Sequence, residues 1–273
     1  MYPIDYRLRL NWNEHWRMGR SHFHEGVEIL LSLSDGGEFF IENKLYPIQY
    51  GSLFILKSAA IHRSILEQRY KRYVFHISPG SLQQISTDQT DFFKLLEQTS
   101  ICTVLSARNT EDLVYKMYLL AQPAEAELGS DLIKFSYLLD FLITVFRLAE
   151  RVDSRAKVLN PNFSKIEPII AFIQANLEEP LTLDYLSSRF YINKYHLCNV
   201  FKSATGFTVI EYIINCRILR ARELLRKGYR VQDVGEMVGF RNNSHFIRTF
   251  GSFTGMSPKK YANGYKKGEE CAL

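Results

Sequence analysis

The chain has 273 residues, 46% of them hydrophobic and 23% charged, a composition that excludes global disorder and collagen-like sequence. Its net charge of +5 is unevenly placed: from Asn160 onward Lys and Arg number 16 against 10 Asp and Glu, while the first 159 residues hold 18 and 19. A basic C-terminal half points towards a nucleic-acid partner, although a generic solvated surface gives the same count.

The N-terminus MYPIDYRLRL carries no apolar h-region, and the most apolar stretch, Leu138–Phe146, is short and interrupted by Asp140. Neither a secretory signal nor a membrane span is therefore expected. Cys102, Cys198, Cys216 and Cys271 have no CxxC spacing and read as reduced thiols, so a cytoplasmic protein is expected. Between residues 21 and 80, alternation and β-branched or aromatic enrichment predict strands at Val27–Leu33, Glu38–Glu42, Gly51–Leu56 and Arg72–Ile77. The breaks fall at Ser34-Asp35-Gly36-Gly37, Glu42-Asn43-Lys44, Tyr46-Pro47 and Ser78-Pro79-Gly80. Short, evenly spaced strands imply a sandwich or small barrel.

From about Asp91 the period becomes helical. Thr110 is the expected N-cap of a helix ending before Pro123, and a second helix is expected from about Ser130 to Val152. In the latter, Leu132, Phe135, Leu139, Leu142, Phe146 and Ala149 follow an a/d spacing that serves either a core face or a dimer seam. Residues 156–162, with Asn160-Pro161-Asn162, read as a linker. Beyond it Ser164 is a candidate cap for a helix bearing Ile166, Ile169, Ile170 and Ile173, and no strand pattern returns.

The C-terminal half repeats itself. Asn193, His196, Leu197, Phe201 and Gly206 match Asn242, His245, Phe246, Phe250 and Gly255 at a constant offset of 49, with Tyr191 and Phe240 as paired aromatics two positions before each asparagine. Each stretch reads as a short helix, a tight turn and a second helix capped by asparagine, with Ser187 and Gly235 as the small residues where the helices cross. Thr208–Lys227 forms one long helix between the units, with Gly228 as its C-cap. Such a spacer sets the distance between two recognition helices, for which successive major-groove faces lie about 34 Å apart.

The second unit, VQDVGEMVGFRNNSHFIRTFGSFTGMSPKKY, resembles the signature of AraC/XylS-type transcriptional regulators, and LTLDYLSSRFYINKYHLCNVFKSATGFTVIEYIINCRILRARELL is similar to that family's first unit and connecting helix. Gly235, Gly251 and Ala262 depart from the family's usual Ala, Lys and Arg. The resemblance implies Tyr195, Cys198 and Asn199 on the first groove-facing surface, with Lys194 and Lys202 near phosphates. On the second it implies Asn243, Ser244 and Arg248, with Arg241 and Thr249 near the DNA backbone. The chemistry suits those places, since Arg forks to guanine, Asn pairs with adenine and Lys neutralises phosphate. Solvated helix faces are the bland alternative.

In the N-terminal half, His22, His24 and Glu28 followed by His62 resemble the metal constellation of cupin barrels, with Gly51 eleven residues before His62. Lys57 and Ala59 replace the Pro and Gly of that motif, and Gly19 stands too close to His22. Three imidazoles and a carboxylate can hold a transition metal, line a polar effector pocket, or serve only the fold. Trp16 and Tyr73 are candidate pocket walls, and the family resemblance favours a sugar or another small polar effector.

The expected architecture is α+β and multidomain. A cupin-like β-barrel (jelly-roll) sensor spans 1–90 and a helical dimerisation segment 91–155, and an all-α DNA-binding domain with two helix-turn-helix units spans 163–267. The expected partners are double-stranded DNA, a small-molecule effector, RNA polymerase and a second copy of the chain, with no cofactor and no membrane. The rival reading is a metal-dependent cupin enzyme or metal sensor with an attached DNA-binding domain, which requires metal at His22, His24, Glu28 and His62.

Overall fold

The fold is described from a computed structural model covering residues 4–13, 26–57, 60–65, 70–99, 101–123, 127–150 and 162–266. Eight strands come first: β1 (Tyr6–Asn13), β2 (Val27–Ser32), β3 (Gly37–Ile41), β4 (Lys44–Ile48), β5 (Ser52–Leu56), β6 (His62–Ile65), β7 (Tyr70–Ile77) and, after two short helices, β8 (Cys102–Val104). They form a five-stranded sheet in the order β1-β7-β2-β5-β8 and a three-stranded sheet in the order β4-β3-β6, with antiparallel pairing throughout. Leu30, Phe39, Ile41, Tyr46, Phe54, Leu56 and Val74 fill the space between the two sheets.

Both sheets are covered on their outer faces as well. Helices α1 (Pro79–Ile85), α2 (Phe92–Gln98), α3 (Ala107–Ala121) and α4 (Ser130–Glu150) pack on the five-stranded sheet, burying Val27, Ile29, Leu31, Leu53, Ile55 and Phe75. Burial from two sides explains why β2 and β5 read as nearly continuous apolar runs rather than as clean alternation. The predicted strands match β2, β3, β5 and β7, whereas β1, β4, β6 and β8 escape the pattern. β1 and β4 are edge strands, where charge and proline are tolerated: Pro47 sits in β4 opposite Glu38.

Two helix starts are displaced from their expected positions. Ser106, not Thr110, caps α3, its hydroxyl accepting from the Asn109 amide at 3.3 Å. Thr110 is instead fully buried and donates to the Ser106 carbonyl, under the turn at Gly51. There φ is +82° and a Cβ would come within 2.8 Å of the Leu105 carbonyl, so this glycine is required by the turn into β5. Likewise α5 (Phe163–Ala175) starts after Asn162, which leaves Ser164 inside the helix.

The expected a/d seam of α4 is split. Leu138, Phe141, Leu142, Val145, Phe146 and Ala149 form the buried stripe, Phe135 and Leu139 flank it, and Leu132 is 61% exposed. A period of 3.6 residues, not 3.5, therefore decides which side faces the sheet. Tyr115 and Tyr118 of α3 and Leu132 and Ile133 of α4 are left exposed.

The C-terminal region consists of α5, α6 (Leu183–Arg189), α7 (Lys194–Thr205), α8 (Val209–Arg226), α9 (Val231–Met237), α10 (Asn243–Thr254) and α11 (Pro258–Lys266). Its first core continues directly into the sheets: Phe40, Leu45 and Ile61 on the outer face of the three-stranded sheet pack with Phe163, Phe207 and Tyr212. The Phe40 ring meets Phe207 at 6.0 Å and Tyr212 at 6.1 Å, both edge-on, and the Tyr212 hydroxyl donates to the Glu42 carbonyl at 3.3 Å.

Leu142→Ala removes a fully buried side chain and is expected to cost about 2–5 kcal/mol in denaturant unfolding. Leu132→Ala is expected to stay within about 0.5 kcal/mol of the parent in the same measurement.

Candidate functional site

Two helix-turn-helix units are built on the same local chemistry. In the first, the Asn193 side chain caps α7 by accepting from the amides of Tyr195 at 2.9 Å and His196 at 3.4 Å, and Gly206 ends the helix at φ +75°. In the second, Asn242 accepts from the His245 amide at 2.9 Å and Gly255 ends α10 at φ +73°. Thr205 and Thr254 repeat the closing bond, each hydroxyl donating to a carbonyl one turn back, that of Phe201 or Phe250. These are the asparagine caps that the sequence repeat implied.

The turns themselves are not equivalent at an offset of 49. The Ile192 amide donates to Ser187 and the Phe240 amide to Gly235, so before the caps the offset is 48 and the second turn is one residue longer, by Arg241. Tyr191 therefore corresponds to Gly239, not to Phe240: both sit at positive φ, +51° and +86°. Gly239 has no alternative there, because a Cβ would lie 2.3 Å from the Leu177 carbonyl and 2.6 Å from Arg217. Tyr191, at 97% exposure, faces open solvent.

α8 joins the units. Thr208 and Glu211 close a reciprocal capping box at its start, and Lys227 rather than Gly228 is its C-cap, with Gly228 next at φ +88°. Arg217 donates to the carbonyls of Leu177 at 3.0 Å and Glu179 at 2.7 Å, tying α8 to the turn before α6. Arg222 and Arg226 both donate to the Tyr261 hydroxyl, at 3.1 and 2.8 Å, tying it to α11.

Outward from this frame stand two matching rows. Tyr195, Asn199 and Lys202 occupy i, i+4 and i+7 of α7, and Ser244, Arg248 and Gly251 occupy the same places on α10, all away from the buried anchors Leu197, Phe201, Phe246 and Phe250. Cys198 is half-buried beside the first row, Arg241 and Asn243 are exposed at the start of the second, and Thr249 is half-buried. Lys194 is exposed but paired with Asp184 of α6. The sequence reading missed Ile247, which is 40% exposed on α10; the Phe246/Phe250 spacing that marks the buried side also turns Ile247 outward. Gly235 is explained by packing, since a Cβ would meet the Phe246 ring at 3.0 Å.

Between the sheets lies a second candidate site. Glu28 of β2 and His62 of β6 come together, with Glu28 Oε2 3.3 Å from His62 Nε2, and both are buried. His76 of β7, absent from the sequence reading, adds its Nε2 at 3.7 Å from the same carboxylate oxygen. The signal was the strand register, which pairs Glu28 with His76. Buried Arg72 follows on the same face of β7, its guanidinium 5.2 Å from the Tyr70 ring, and the Tyr70 hydroxyl lies 2.6 Å from Ser32.

Tyr73 belongs to the opposite face, packed with the helical layer, because successive strand residues alternate. It does not line the space that contains Glu28. His22, His24 and Trp16 lie outside the described residues, and among the described residues no group of three or more His, Cys, Asp or Glu is placed to hold a metal. The thiols of Cys102 and Cys216 are buried and pushed up to about 12, which makes them unreactive.

Burial alone disfavours the charged His62 imidazole. The hydrogen bond and charge of Glu28, with the Ala60 carbonyl 2.8 Å from Nδ1, outweigh burial and the repulsion of Arg72, and the pKa is raised. A raised folded-state pKa contributes stability below the ordinary histidine value of about 6.5 and loses it as pH rises through the folded value. The stability difference between the parent and His62→Gln is therefore expected to be greatest below about pH 6.5 and to shrink above it, as read by denaturant melts across pH.

A helix-turn-helix domain family matches residues 186–264. The chain is 24% identical over 264 residues to the Uncharacterized HTH-type transcriptional regulator YfiF of Bacillus subtilis (strain 168), covering 92% of this chain and 81% of that one. It is 23% identical over 282 residues to the Melibiose operon regulatory protein of Escherichia coli (strain K12), covering 96% and 89%. It is 31% identical over 115 residues to the Multiple antibiotic resistance protein MarA of the same strain, covering 42% of this chain and 91% of MarA.

Proposed function

The chain belongs to the AraC-type helix-turn-helix transcriptional regulators, and we propose that a small polar effector, foremost a carbohydrate, enters the interior of its sheet domain and sets its action on DNA. It is a DNA-binding regulator rather than an enzyme. Among the described residues, no helix is long and apolar enough to cross a membrane. We place the regulator's action on DNA in the cytoplasm.

The observation that carries the DNA reading is the pair of matching rows on α7 and α10, held by one helix. At 1.5 Å per residue the 18 residues of α8 span about 27 Å, comparable with the roughly 34 Å between successive major-groove faces. Arg248 forks to a guanine edge, Ser244 and Asn243 bond to neighbouring bases, and Tyr195, Cys198 and Asn199 read the other groove. Lys202, Lys194, Arg241 and Thr249 contact the phosphate backbone. Lys194 reaches a phosphate only by leaving Asp184.

Support for the effector reading comes from buried Glu28, His62 and Arg72 with half-buried His76, a donor and acceptor set suited to hydroxyl groups. The name of the melibiose relative points to the same class of molecule. We assign residues 1–90 to the sensor, 91–155 to a mostly helical segment that also lends β8 to the sensor's five-stranded sheet, 156–162 to the linker and 163–267 to DNA binding. The exposed group Tyr115, Tyr118, Leu132 and Ile133 makes the contact between two copies in a homodimer, which presents both chains to RNA polymerase at a promoter.

A thermal-shift screen of sugars, with metal analysis of the same tag-free sample, tests the effector reading. One sugar is expected to raise the melting temperature of the parent but not of Glu28→Gln; stoichiometric bound metal would replace this reading with a metal sensor. For the DNA contacts, Arg248→Ala is expected to cost about 1–3 kcal/mol and to relax specificity at one base position in a binding-site selection. Lys202→Ala is expected to weaken all sequences alike and to make the salt slope of binding shallower by about 1.

A further inference from the structure

β6 serves both domains through two adjacent residues. His62 points between the sheets to Glu28, and Arg63, next along the strand, points out of the opposite face into the first helix-turn-helix unit. Arg63 engages three parts of that unit together. Its Nη1 donates to the Gly206 carbonyl at 2.5 Å, at the C-terminal end of α7. Its guanidinium lies 4.4 Å from the centre of the Phe207 ring, and its Nη1 is 3.7 Å from Oε2 of Glu211.

Each contact suits an arginine. A helix C-terminus presents unbonded carbonyls and partial negative charge, a planar guanidinium stacks on an aromatic ring, and its fork leaves donors for a carboxylate. Glu211 is itself half of the α8 capping box, its carboxylate accepting from the Thr208 amide at 2.8 Å. Gly206 leaves the approach open, because a Cβ there would lie 2.7 Å from Cδ of Arg63. One side chain from the sheet domain thus touches the end of one helix, the turn after it and the start of the next.

We propose that Arg63 is the positioning residue through which the state of the Glu28–His62 site reaches the first recognition helix. The argument rests on the reading of the sheet interior as the effector site. Backbone geometry supplies the link: adjacent Cα atoms are about 3.8 Å apart at fixed distance, so a displacement of β6 at His62 is passed to Arg63. Among the described residues, the groups that face the Glu28–His62 pair include Arg72 and His76 from β7, the Phe39 ring from β3 and the Ala60 carbonyl. A ligand that spreads this group moves β6, and Arg63 then shifts at Gly206, one turn beyond Lys202.

The test requires no ligand. Amide hydrogen exchange is measured on the full chain for the parent, His62→Gln, Arg63→Ala, Arg63→Lys and the double variant His62→Gln/Arg63→Ala, with the β1–β7 amides as the control for an intact fold. His62→Gln is expected to speed exchange several-fold across residues 206–212, and Arg63→Ala to do the same. The double variant is expected to match Arg63→Ala alone, and Arg63→Lys, which keeps the charge but loses the stacking plane, to fall between parent and Arg63→Ala.

No change at 206–212 in His62→Gln overturns the proposal, and so does full additivity in the double variant, because the signal would then bypass Arg63. If His62→Gln fails the fold control, Glu28→Gln perturbs the same pair from β2 under the same criteria. Failure of the effector reading shows elsewhere, as the absence of any thermal shift with sugars, and leaves the exchange result standing.

Discussion

The geometry of the DNA-binding half depends on α8 belonging to two hydrophobic cores. Val209, Tyr212, Ile213 and Cys216 are buried with α5, α6 and α7, whereas Ile218, Ala221, Leu224 and Leu225 are buried with α9, α10 and α11. Neither unit can shift along or around the helix without breaking its own packing, which has the density of an organic crystal. The capping box at one end and the arginine pair on Tyr261 near the other hold that helix in register. The spacing between the two exposed rows is therefore a property of the interior.

The sheet domain is held by burial from both sides. Its five-stranded sheet carries the helices α1–α4, and its three-stranded sheet shares a core with the first helix-turn-helix unit through Phe40, Leu45 and Ile61. Polar side chains in the space between the sheets come from β2, β7 and β6, where charge and hydrogen bonding compensate for lost hydration. Glu28 joins β6 to β7 there because two imidazoles address the same carboxylate oxygen.

Much of this was legible in the sequence, for a physical reason. The asparagine caps, the paired Leu197/Phe201 and Phe246/Phe250 anchors and the breaks between strands are local, and local chemistry can be read along a chain. His76 was missed because its significance comes from pairing with Glu28, 48 positions away. Tyr73 was placed with the pocket on proximity in sequence, although strand alternation turns it to the helical layer. The split of the α4 seam was hidden because an apolar residue looks the same whether a sheet covers it or not. The shared core at Phe40 gave no sign, since nothing in a strand indicates what will pack on its far side.

The unequal turns have a consequence for how the repeat can be divided. From cap to cap, Asn193–Gly206 and Asn242–Gly255 are in register, with the same closing threonine and the same outward rows. Ahead of the caps the register is lost by one residue, and the left-handed position is an open tyrosine in one unit and a hemmed-in glycine in the other. The exchangeable cassette is therefore the recognition helix with its two caps, not the whole motif. A chimera joined at the asparagines preserves both scaffolds, while one joined at the preceding helices carries a turn of the wrong length into a space already filled by Arg217 and the Leu177 carbonyl.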